Sequence, residues 1–95
     1  GGAKSDEAPK IMTDFLLGPN PFSQSFTLTF SATEATMATI QLVNKAGKVV
    51  ASEIMPVESG KNKFQFSDGA GMAAGDYVIR ISNPMEIHTL VASKK

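Results

Sequence analysis

The chain has 95 residues, 42% of them hydrophobic and 19% charged, with nine basic residues set against nine acidic ones and no cysteine. That length makes one domain, which buries only roughly 60–65% of its unfolded surface and has little volume to spare for a deep substrate cleft. The charge balance leaves no basic excess to neutralise phosphates, so nucleic acid is excluded as a partner class. The lack of cysteine excludes disulfides and thiol chemistry.

Residues 1–9, GGAKSDEAP, are small and polar and read as a linker or tag remnant, with Gly1-Gly2-Ala3 a tag scar or a cut site. No apolar run reaches the roughly 20 residues of a membrane-spanning helix, and an export signal, if the parent is exported, is expected upstream. KIMTDFLLG (10–18) reads as a first strand. Pro19-Asn20-Pro21 then interrupts pairing, because proline has no N–H to donate.

SFTLTFS (25–31) is the clearest strand: Phe26, Leu28 and Phe30 share one face, Thr27 and Thr29 the other. MATIQLVN (37–44) repeats the pattern through Ala38, Ile40 and Leu42. NKAGK (44–48) has hairpin chemistry, with Gly47 free to take a positive φ. KVVASEIM (48–55) returns, Pro56 is expected to end it, and VESGKN (57–62) turns.

KFQFS (63–67) alternates again through Phe64 and Phe66. DGAGMAAG (68–75) bridges onward with room for a short helical turn. DYVIRIS (76–82) sets Tyr77, Ile79 and Ile81 inward and Arg80 outward. NPM (83–85) turns, and EIHTLVASK (86–94) is the last strand. Short strands with turns about every 8–12 residues and no helical period predict an all-β, antiparallel immunoglobulin-like β-sandwich of about seven strands.

Catalytic chemistry is hard to assemble from these residues. The single histidine, His88, lacks a marked nucleophile or orienting acid, and reads as an outward-facing strand residue. One histidine and scattered carboxylates do not make a metal site. The Gly69–Gly75 run has the spacing G-x-G-x-x-x-G, one residue off the dinucleotide fingerprint, and leads into a strand, so no helix N-terminus is offered to a phosphate. The five methionines share no periodic face and read as core and loop filling. The alternating phenylalanines read as core, not as a base-stacking platform. No cofactor is expected.

LLGPNPFSQSFTLTF (16–30), ATIQLVNKAGKVVAS (38–52) and AAGDYVIRIS…HTLVASKK (74–95) occur in an order and spacing that resembles the type A C-terminal sorting domain of the type IX (Por) secretion system of Bacteroidetes. The matching positions are Pro19, Asn20, Pro21 and Phe22; Gly47, Lys48 and Val49; Gly75, Tyr77, Val78 and Ile81; and Lys94 and Lys95. Two positions depart from the family pattern: the last turn is Asn83-Pro84-Met85, and Thr89-Leu90 replaces a lysine pair.

The resemblance implies a non-catalytic sandwich that closes a larger exported cargo. It would pass through the periplasm and direct the cargo to the outer-membrane translocon. A sortase-type surface protease then removes it, and the cargo is attached at the cell surface. On this reading residues 1–14 are linker with the processing site and 15–95 the sorting domain, with Pro19 and Pro21 marking where linker gives way to sandwich. Recognition by the machinery is expected on Glu86, Ile87, His88, Thr89, Leu90, Val91, Lys94 and Lys95. Pro19, Asn20, Pro21, Phe22, Gly47, Lys48, Gly75 and Tyr77 are expected to be architectural. A terminal strand can be read by strand addition, and the same edge predicts a homodimer of the isolated domain by edge pairing or strand swapping. The alternative function is an accessory immunoglobulin-like binding or structural module of a secreted glycoside hydrolase or adhesin.

Overall fold

The computed structural model describes residues 10–95. Seven strands follow in order: β1 Met12–Gly18, β2 Phe26–Ala32, β3 Thr36–Val43, β4 Val49–Val57, β5 Gly60–Phe66, β6 Gly75–Asn83 and β7 Glu86–Lys94. One 3₁₀ turn, Gly69–Gly71, links β5 to β6. All ladders are antiparallel. They form a three-stranded sheet, β1-β2-β5, and a four-stranded sheet, β4-β3-β6-β7.

The alternation seen in the sequence builds the core. Phe26, Leu28 and Phe30 of β2 meet Ile40 and Leu42 of β3 and Ile79 and Ile81 of β6 in one buried cluster. A side chain on each second residue faces the other sheet, so the two sheets pack face to face as a β-sandwich. Phe22, Phe26 and Phe66 form an aromatic group at one end, Phe22 meeting Phe26 edge-on at 5.1 Å between ring centroids. Edge-to-face geometry suits the ring quadrupoles.

Local chemistry sets the turns. Asn44 Oδ1 accepts from the N–H groups of Ala46 (3.0 Å) and Lys48 (2.9 Å), and Gly47 sits at φ 84°, as the β3–β4 hairpin requires. Asn62 holds the β4–β5 turn in the same way, accepting from Glu58 N–H and donating to Glu58 C=O. At Gly69 a Cβ would lie 2.8 Å from the Gln24 carbonyl oxygen and 2.9 Å from Phe22 Cε2. Gly69 is therefore a close-packed lid over Phe22, while Gly71 in the same run has open space around it.

Four expectations are corrected. Pro56 does not end β4 but lies within it, opposite Met37. β4 is an edge strand, where a proline need remove no ladder bond. The prolines at 19 and 21 do not mark where linker gives way to sandwich: β1 precedes them and pairs with β2 through Leu17–Leu28 and Gly18–Thr27. Ile11 and Met12 are buried, so the folded part begins by residue 11, inside the 1–14 segment read as linker. Met37 and Met85 are exposed and do not fill the core.

Candidate functional site: the last strand and its two clips

β7 pairs with β6 over nine residues without a register shift, from Gly75–Lys94 to Asn83–Glu86. Its even-numbered residues face the other sheet, with Ala92 fully buried. Its odd-numbered residues face outward, and Ile87 and Val91 are 68% and 55% exposed. Each end of the strand is fastened to a distant part of the chain.

At the first end, the Glu86 carboxylate is 4% exposed. It accepts from the Ile11 N–H (2.8 Å), the Met12 N–H (3.2 Å) and Asn83 Nδ2 (3.0 Å), and meets His88 Nε2 at 2.6 Å. Burial alone would raise its pKa; the bonds from His88, Ile11, Asn83 and Met12 together outweigh it and lower the value to about 2. An ionised carboxylate only accepts, so His88 Nε2 carries the proton in this contact. The imidazole also lies 4.7 Å from the Phe15 ring, which stacks on Phe30. His88 thus faces inward, against the outward expectation, because Glu86 and Phe15 give it partners there.

At the other end, Pro19-Asn20-Pro21 docks on β7, both X–Pro bonds being cis. Asn20 Nδ2 donates to Val91 C=O (3.0 Å) and Asn20 Oδ1 accepts from Ser93 N–H (2.8 Å). A side-chain amide thus presents the donor–acceptor pair that a strand residue would. The backbone continues the match: Phe22 N–H donates to Ser93 C=O (2.8 Å) and Lys95 N–H to Phe22 C=O (2.9 Å), a short parallel bridge. The Phe22 ring is fully buried.

Gly75 and Tyr77, two of the residues singled out in the sequence, lie around this end. Gly75 lies opposite Lys94, and Tyr77 donates its hydroxyl to Ala73 C=O at 2.7 Å. Residues 44–46 and 73–77 share a shallow recess of about 290 Å³. Among the recognition candidates, Ile87, Thr89 and Val91 stand on the outer surface, whereas Glu86, His88 and Leu90 face the sandwich interior. Lys94 Nζ donates to Lys95 C=O. Sequence reasoning missed Glu86 as a structural staple, and missed Asn44, Asn62 and Asn83. The asparagines carried a usable signal, since each stands in or beside a turn.

Among the described residues no group of His, Cys, Asp and Glu could hold a metal ion. The described residues form a small two-sheet domain whose polar side chains fasten distant strands to one another. The chain belongs to the family described as secretion system C-terminal sorting domain, whose model matches residues 17–92. The resemblance of the sequence to type IX sorting domains is thereby confirmed. Its family is a non-catalytic one whose role lies outside the cytoplasm. Among curated proteins no match was found.

Proposed function

We propose that this domain is the address by which an exported cargo is handed to the type IX translocon, and that it is then cut from the cargo by a sortase-type protease. The observation that carries this is the family match over residues 17–92, which runs from the Pro-Asn-Pro clip into β7. The cut falls upstream of Ile11, because Ile11 and Met12 are built into the fold through Glu86. The strand order 1-2-5 and 4-3-6-7, with the Tyr77 hydroxyl bonded four residues back to Ala73, supports an immunoglobulin-like reading of the sandwich.

A fluorescent reporter with an inner-membrane export signal tests the function. In a bacterium carrying the type IX system, the reporter fused to this chain should reach the surface or medium, and the reporter alone should stay in the periplasm. A folded fusion that also stays in the periplasm sinks the sorting reading in favour of an accessory module.

A further inference from the structure

We infer that the open edge of β7 between Ile87 and Val91 receives an extended segment of a partner protein as an added strand; this rests on the sorting reading above. Alternate residues of an antiparallel strand direct both backbone groups to the same side. Val91 C=O, both backbone groups of Ser93, and Lys95 N–H point away from β6, toward Asn20 and Phe22. By that alternation the N–H and C=O groups of Ile87 and Thr89, and the Val91 N–H, point to the same side. Among the described residues, only β6 pairs with this stretch.

The other three edge strands are guarded against such pairing. β1 carries a register shift between Thr13 and Leu16, with Asp14 at φ 60°. β4 contains Pro56 and is offset by a shift at Leu42/Val43. β5 carries Lys61 and Lys63. Lysine, proline and bulges are the usual devices that keep an edge from adding a strand. The stretch Ile87–Val91 has none of them and no Asp, Glu, Lys or Arg, and its His88 faces inward.

What fits is dictated by the groups on offer. A row of outward N–H and C=O groups is complementary to an extended backbone, and side chains at alternate positions supply specificity. Ile87 and Val91 border the added strand's outer face, and Val91 ends a row of valines running through Val78 and Val43 to Val49. The outer face of the other sheet is polar, with Thr27–Gln65, Thr29–Lys63 and Ser31–Lys61. The occupant is therefore an uncharged strand with apolar residues in alternate positions. The edge already accepts such an addition within the chain, since Asn20 and Phe22 dock on its last residues.

Thr89→Pro is the direct test, because it removes an N–H that faces away from β6 and leaves the β6–β7 ladder intact. Ile87→Lys with Val91→Lys is the second variant, placing guards on the same edge without touching the backbone. Each is made in the reporter fusion, with thermal melting and sedimentation to follow folding and oligomeric state. The expected result is a wild-type fusion that is exported and folded variants whose surface signal falls about tenfold or more, as loss of one or two strand bonds implies. Folded variants exported like wild type overturn the edge proposal and leave the sorting reading standing. A wild-type dimer that Thr89→Pro turns to monomer with unchanged export assigns the edge to a second copy and also overturns it. A wild-type fusion that is not exported overturns the sorting reading and this proposal with it.

Discussion

Glu86 ties the start of β7 to the first residues of the fold. Its partners Ile11 and Met12 lie 75 and 74 residues away in the chain. Because its folded pKa is lowered to about 2 from an ordinary value of 4.5, the unfolded chain takes up the proton first as pH falls. The stabilisation is therefore fully present above pH ~5 and is lost as pH drops toward 2. A shift of that size corresponds to about 3 kcal/mol. Urea midpoints of wild type and Glu86→Gln, compared from pH 6 to pH 2.5, should differ most at pH 6 and converge at the acid end. A constant difference would mean that the carboxylate charge is not what holds Ile11 and Met12. Asn20→Ala, at the other clip, removes two bonds to β7 and should cost about 1–3 kcal/mol. It should also speed hydrogen exchange at the Ser93 amide, whose acceptor is Asn20 Oδ1. Unchanged Ser93 exchange would show that the amide does not act as a strand surrogate.

At the scale of elements, the strands were legible because their apolar residues alternate. The faces predicted for Phe26–Phe30 and for Tyr77–Ile81 are the buried ones. The last strand was found for the same reason, but its inner face was misread at His88, because a polar side chain reads as solvent-facing until its partners are known. Those partners, Glu86 and Phe15, come from the strand's own start and from β1, and no local pattern announces the second. The docking of Pro19–Phe22 on β7 was illegible for a like reason. The sequence shows a turn-former and a break in pairing, while the bonds Asn20 makes lie 71 and 73 residues away. Turn chemistry was legible at Gly47, but the packing at Gly69 was not: its Cβ position is filled by Gln24 and Phe22, neither of which the local pattern announces. Gly69→Ala should therefore destabilise by about 1–3 kcal/mol, the usual range for forcing a methyl into a packed site, and Gly71→Ala, with open space around it, should not. Equal chemical-denaturation midpoints for the two variants would show that the lid over Phe22 gives way freely.

At the scale of the whole molecule, β7 is both the proposed label and a wall of the fold. It contributes buried Ala92 to the core, covers the β6 edge along nine residue pairs, and through Glu86 and its 91–95 backbone holds both flanks of β1. Native domains keep only about 5–15 kcal/mol of net stability. Loss of one sheet edge, its packing and both clips together exceeds what a domain of this size can spare. Deleting residues 86–95 should therefore abolish the cooperative thermal transition seen by circular dichroism, while Thr89→Pro should keep it. Export lost on such a deletion would report unfolding as much as a missing label, so the label has to be sought with substitutions that leave the ladder in place. A cooperative transition in the deletion would show that β7 is an appendage to a six-stranded core, and the two clips would then serve to park a strand that the translocon can lift away.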